Sequence, residues 1–130
     1  MSTPLWASNT AVISSSGWTD VMGAGYSVFP GGMAVGDYLY DPNGRFQLYV
    51  TSSKAELADM NTSGVLWGWY GSNVSSLIIG KDGNMYLYAG GSGKGDGTIL
   101  QQTSFAASQG ATLQLQADGD LCIYAIGQHE

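Results

Sequence analysis

Apolar and polar residues alternate along most of this chain in short runs. Phe46-Gln47-Leu48-Tyr49-Val50, Leu77-Ile78-Ile79, Met85-Tyr86-Leu87-Tyr88, Leu113-Gln114-Leu115 and Leu121-Cys122-Ile123-Tyr124 each read as a strand with one face turned to a core. Helical periodicity is almost absent. The best helical stretch, Ser53 to Met60, is short and runs into Asn61-Thr62-Ser63-Gly64. Turn residues separate the runs, so the pattern predicts many antiparallel strands joined by tight turns.

The runs repeat. Leu77-Ile-Ile-Gly-Lys-Asp-Gly-Asn-Met-Tyr-Leu-Tyr88 and Leu113-Gln-Leu-Gln-Ala-Asp-Gly-Asp-Leu-Cys-Ile-Tyr124 coincide without a gap in their apolar positions, Asp-Gly turn and closing Tyr. A fainter copy fits at Leu48 to Asp59, so the copies start at 48, 77 and 113. Val65-Leu66-Trp67 follows the first copy and Thr98-Ile99-Leu100 the second. The matching piece for the third stands at the other terminus, as Leu5-Trp6-Ala7-Ser8-Asn9-Thr10. The 130 residues thus read as a single domain with repeats at about 33–67, 68–100 and 101–130, the last completed by 1–10. Three such sheets cannot each bury a face alone and are expected to pack around a shared axis. Trp6, Trp67 and Leu100 hold matching positions and are expected to meet in the centre. Trp18 and Trp69 fall outside this scheme and are expected to face solvent. Residues 11–32 are not explained by it.

Charge narrows the possible partners. Only 11% of residues are charged, with four Lys and Arg in all and a formal net charge of -6. Such a surface neutralises few phosphates, which excludes nucleic acid and disfavours anionic membranes. No apolar run is long enough to span a bilayer, so no membrane insertion is expected. Residues 1–9 lack the basic start and apolar stretch of a signal peptide, which points to a cytoplasmic or non-classically secreted protein. Cys122, the single cysteine, has no internal disulfide partner and is expected to be packed within a strand.

The turn segments carry the candidate chemistry. Gln116-Ala-Asp118-Gly-Asp120-Leu-Cys122-Ile-Tyr124 and Gly80-Lys-Asp82-Gly-Asn84-Met-Tyr86-Leu-Tyr88 resemble the Gln-x-Asp-x-Asn-x-Val-x-Tyr motif of the bulb-type, snowdrop-like mannose-binding lectins, which carry it in each of three repeats. Thr51-Ser-Ser53-Lys-Ala55-Glu-Leu57-Ala-Asp59 keeps only an aliphatic at the Val place. Gly36 and Leu39 ahead of Pro42-Asn43-Gly44, then Phe46, and the Leu-Trp-Ala-Ser-Asn-Thr string are also similar to that family. The resemblance implies an all-β fold, β-prism II, with three antiparallel four-stranded sheets in pseudo-threefold symmetry. It implies a non-enzymatic sugar-binding protein with no catalytic residue, metal or cofactor. Its partners would be mannose-type glycans or glycoproteins, bound by a homo-oligomer, a dimer or higher, that presents several weak sites together.

Strand geometry puts Gln116, Asp118, Asp120, Cys122 and Tyr124 on one face, with Leu121 and Ile123 on the other. In the resembled family the Gln, Asp, Asn and Tyr places hydrogen-bond the hydroxyls of one mannose, and Val touches its apolar carbons. By that carry-over the site residues are Gln116, Asp118, Asp120 and Tyr124 in the third repeat and Asp82, Asn84, Tyr86 and Tyr88 in the second. Gly80 offers no side chain where the motif has Gln, and Tyr86 replaces Val, either to stack on a sugar or to block it. Asp120 accepts where Asn would donate, so it is expected to weaken mannose binding. The first repeat is expected to be a structural copy without a polar set.

Other readings fare worse. Asp118 and Asp120, roughly 6.5–7 Å apart by strand rise, are spaced for an inverting glycosidase, but a flat strand face excludes little water. Gly90 to Gly97 fails the phosphate-loop pattern, since Gly95 stands where Ser or Thr belongs. The single His129 supports neither a catalytic triad nor a zinc site. A defence or toxin-like prism of insecticidal or bacteriocin type, or an assembly scaffold with decayed sugar sites, is the alternative to a lectin.

Overall fold

A computed structural model describes residues 3–22, 32–105 and 110–130. Of the unassigned stretch 11–32, residues 23–31 lie outside the described residues. In chain order the strands are β1 (Trp6–Ala7), β2 (Trp18–Met22), β3 (Gly32–Ala34), β4 (Tyr38–Tyr40), β5 (Phe46–Thr51), β6 (Lys54–Asp59), β7 (Gly64–Tyr70), β8 (Val74–Ile79), β9 (Met85–Ala89), β10 (Thr98–Gln102), β11 (Ala111–Gln116) and β12 (Leu121–Ala125). They form three four-stranded sheets, β4-β5-β6-β7, β10-β9-β8-β3 and β1-β12-β11-β2. Neighbouring strands are antiparallel. The all-β, three-sheet arrangement agrees with the sequence.

Each sheet has a central hairpin flanked by two outer strands. The first-repeat sheet is contiguous in sequence. The other two borrow an edge from upstream: β3 pairs with β8, and β2, from the stretch without a repeat match, pairs with β11. At the opposite edge of the third-repeat sheet, Trp6 faces Ile123 and Ala7 faces Cys122. The string is fastened further by Leu5 N–H to Ile123 O at 2.7 Å and Ser8 N–H to Leu121 O at 2.8 Å.

Alternation sets the core. Along β5, Phe46, Leu48 and Val50 are buried while Gln47, Tyr49 and Thr51 are half-buried on the outer face. Leu57, Leu77, Ile79, Met85, Leu87, Leu113, Leu115, Leu121 and Ile123 fill the rest of the centre. The centre is thus filled by Phe46 and aliphatic side chains rather than by Trp6, Trp67 and Leu100. Trp6, Trp67 and Leu100 pack against this cluster while only partly buried, with the Trp6 and Trp67 rings edge to face at 5.6 Å. Trp69 is not turned to solvent: it lies two residues from Trp67 on the same inward face of β7, and the rings sit 5.2 Å apart. Trp18 is half-buried and stacked on His129.

The register corrects the alignment of the first copy. Ile79 pairs with Met85 and Leu115 with Leu121, but Val50 pairs with Ala55, so the first hairpin is one residue shorter. Glu56, not Leu57, therefore stands at the Val place of the motif, and Ala58, not Asp59, at the Tyr place. Leu57 belongs to the core, and Asp59 holds Arg45 in a two-pronged ion pair at 2.9 and 3.0 Å.

Candidate carbohydrate-binding faces

The second and third hairpins share a turn. Asp82 Oδ1 accepts the Asn84 N–H, and Asp118 Oδ1 the Asp120 N–H, each at 2.9 Å. The intervening Gly83 and Gly119 have φ of 89° and 100°, values that L side chains rarely adopt. This turn brings the carboxylates of Asp82 and Asp118 to the outer end of their hairpins.

In the third repeat the polar groups form one relay. Tyr124 donates to Gln116 Oε1 at 2.8 Å, and Gln116 Nε2 donates to both Asp118 oxygens at 3.3 Å. Gln116 and Tyr124 are only 4% and 3% exposed although they occupy the outer face. Burial, then the neighbouring Cys122, pushes the Tyr124 phenol up. Burial also raises the Cys122 thiol, so it is held neutral.

Asp120 and Asn84 have a different geometry from the one carried over to them. Asp120 Oδ1 accepts from Ser8 Oγ at 3.1 Å, Asn9 N–H at 2.9 Å and Thr10 N–H at 3.3 Å. Asn84 Oδ1 accepts from Thr103 Oγ1 at 2.9 Å and Phe105 N–H at 3.1 Å, while its Nδ2 donates to Phe105 O at 3.2 Å. Both side chains anchor the chain leaving the outermost strand of their sheet. A carboxylate or an amide oxygen satisfies this need equally, which explains the Asp in place of Asn at 120. Asp120→Ala is expected to cost about 1–3 kcal/mol, because three donors lose one acceptor. Asp120→Asn is expected to cost far less, since Asn84 already fills the equivalent role. Urea unfolding of both variants checks this, and a wild-type midpoint for Asp120→Ala would refute the anchor.

The second repeat rebuilds its relay with Tyr86. A Cβ at Gly80 would lie 2.8 Å from the Tyr86 ring, so the ring occupies the room of the missing Gln side chain. Its hydroxyl donates to Asp82 Oδ2 at 2.5 Å, as Gln116 does to Asp118. That bond, then burial, pushes Tyr86 up to about 12. Burial raises the Asp82 carboxyl, but hydrogen bonds from Tyr86 and Asn84 outweigh it and hold it below its ordinary 3.8. Asp82, Tyr86 and Tyr88 are half-buried, with the two rings 6.1 Å apart and tilted by 36°.

The first-repeat face is not stripped of polar groups, contrary to expectation. Glu56, at the Val place, accepts from the Tyr49 hydroxyl and from the Tyr70 hydroxyl at 2.8 Å, and pairs with Lys54 Nζ at 3.2 Å. Burial opposes its ionisation, yet these three partners hold it below its ordinary 4.5. The motif search misses this set because Tyr70 comes from β7, outside the aligned segment.

Among the described residues, no group of three or more His, Cys, Asp or Glu could hold a metal ion, and no helix is long and apolar enough to cross a membrane. No family model and no curated protein matches the chain. Solved structures do. A Japanese Marasmius oreades lectin is 24% identical, with a TM-score of 0.66 over 88% of this chain and 87% of that one. The native fetuin-binding protein Scilla campanulata agglutinin, a two-domain lectin, is 16% identical, with a TM-score of 0.69 over 95% of this chain. The match spans 50% of that agglutinin, half of its length. Three four-stranded antiparallel sheets around one core, superimposable on these lectins, give the chain the β-prism II fold of the bulb-type lectins.

Proposed function

We propose that the protein is a carbohydrate-binding lectin for mannose or mannose-containing glycans, held by hydrogen bonds on its strand faces. The observation that carries this reading is the second-repeat face, where a pre-oriented Asp82 carboxylate lies beside the half-buried rings of Tyr86 and Tyr88. A carboxylate fixed by its own turn accepts hydroxyl protons without further ordering. Tyrosine pairs an apolar ring for sugar C–H groups with a hydroxyl for its oxygens. Gln116, Asp118 and Tyr124 form the corresponding set in the third repeat. Asn84 and Asp120 hold the frame of their sites. A site of a few hydrogen bonds on a shallow face has a Kd near 1 mM, about −4 kcal/mol. The reading therefore includes a dimer or larger assembly that presents several sites at once.

A glycan array, followed by calorimetry with methyl α-mannoside, tests the reading. Binding is expected for mannose-type glycans, with a loss of roughly 1–3 kcal/mol, about fivefold to over a hundredfold in affinity, on Asp82→Ala. Unchanged affinity for Asp82→Ala would move the site off the second-repeat face, and an array without such glycans would favour the scaffold or defence reading. The near-complete burial of Gln116 and Tyr124 favours that alternative at the third face.

A further inference from the structure

We propose that residues 127–130 form a latch that closes the third-repeat face, so that a ligand reaches Gln116 and Tyr124 only when this segment lifts. That the ligand is a saccharide rests on the function proposed above; the latch itself does not.

The chain turns back as soon as β12 ends. Gln128 N–H bonds to Ala125 O at 2.9 Å, and Gly127 has a φ of 83°, where a side chain would be strained. The segment then crosses the outer face of the sheet from β12 over β11 to the start of β2. Contacts of different kinds hold it. Gln114 Nε2 donates to Gln128 O at 3.0 Å. The His129 ring stacks on Trp18, with centroids 4.1 Å apart and planes within 15°. Gly17 N–H donates to Glu130 Oε1 at 2.9 Å.

The relay that the motif assigns to a sugar stands beside these contacts on the same outer face. Gln116 sits opposite Trp18 in the β11–β2 register, and Cys122 sits opposite Gln114 in the β11–β12 register. Side chains on an outer sheet face stay buried only when something covers them. The second repeat provides an internal comparison. The glycine-rich loop after β9 also folds back, with Gly95 N–H bonding to Ser76 Oγ at 3.2 Å, yet it leaves Tyr88 half-buried. Tyr124, at the equivalent place, is closed off.

The latch is poised to open. It forms one wall of an open cleft of about 190 Å³ lined also by Trp18, Asp20, Thr112 and Gln114. Within this cleft Gln114 is buried, and its Oε1 accepts no hydrogen bond from the described residues. The ring stack and the bond to Gly17 come from exposed or half-buried side chains, His129 and Glu130. The two sugar faces therefore differ in kind: the second is open, and the third is gated by the chain's own residues.

Cys122 is a built-in reporter, because it is the single thiol and lies on the latched face. A small maleimide should label it slowly in the whole chain. In the His129→Ala/Glu130→Ala variant labelling should be at least tenfold faster, with an unchanged urea midpoint showing that the fold is intact. In the Asp82→Ala background, methyl α-mannoside should then protect Cys122 in the unlatched variant and not in the latched one. Equal labelling rates with and without His129 and Glu130 would overturn the latch. Faster labelling without mannoside protection would uphold the latch and instead sink mannose as the ligand of this face.

Discussion

Phe46→Ala is expected to lower the stability of the protein by about 3–5 kcal/mol, the largest effect of any single substitution considered. Phe46 has no exposed surface, and its N–H is fixed by Asp41 Oδ1 at 2.7 Å. Its ring also reaches across to the third repeat. A Cβ built on Gly119 would come within 2.9 Å of the ring, so Phe46 is the floor beneath the Asp118–Asp120 turn. Truncation removes the buried transfer energy and leaves a hole that three interlocked sheets cannot collapse to fill. The turn above it should lose its support, and any ligand contact of Asp118 should weaken with it. Urea unfolding should show a lower midpoint at an unchanged slope. A loss under about 1 kcal/mol would mean that the sheets repack freely around this position.

Alkali should unfold the protein between pH 10 and about 12. Four phenols are held above their ordinary 10.0: Tyr49 by burial and then Glu56, Tyr70 by its bond to Glu56, Tyr86 by its bond to Asp82, and Tyr124 by burial. The native state thus favours each phenol in its neutral form. Their stabilisation is complete below pH 10 and is lost as the pH climbs through the folded values, about 12 for Tyr86. Ionisation would also set a phenolate against a carboxylate in both the first and second repeats. Thermal unfolding followed from pH 8 to 12 should show a level region and then a steep fall. Tyr86→Phe should start lower, since Asp82 loses a donor, and fall less steeply. A midpoint that stays level to pH 12 would show that these hydrogen bonds do not favour the neutral phenols.

Alternation in the 46–50, 113–115 and 121–124 segments was enough to place the central strands, because a side-chain period of two leaves little choice of inward face. The gapless match of the second and third copies located their turns for the same reason: Asp-Gly turns bond locally, through Asp82 to Asn84 and Asp118 to Asp120. In the first copy the hairpin is one residue shorter than a gapless match implies. A deletion there leaves the apolar count intact, and only the pairing of Val50 with Ala55 exposes it. That single step moved Glu56 onto the outer face and hid a polar set from motif reading.

The sequence by itself determined the local, periodic features: the strands, the turns and the threefold repetition. These follow from residue spacing and backbone preference, which act over a few positions. Tertiary structure decided whatever depends on groups far apart in sequence. It gave the Asp120 carboxylate to residues 8–10, placed the Tyr86 ring over Gly80, and laid residues 127–130 against Gly17, Trp18 and Gln114. Hydrogen-bond capacity and exposed area belong to neighbours in space. A motif states which side chains share a face, and only packing states which of them are left free to meet a ligand.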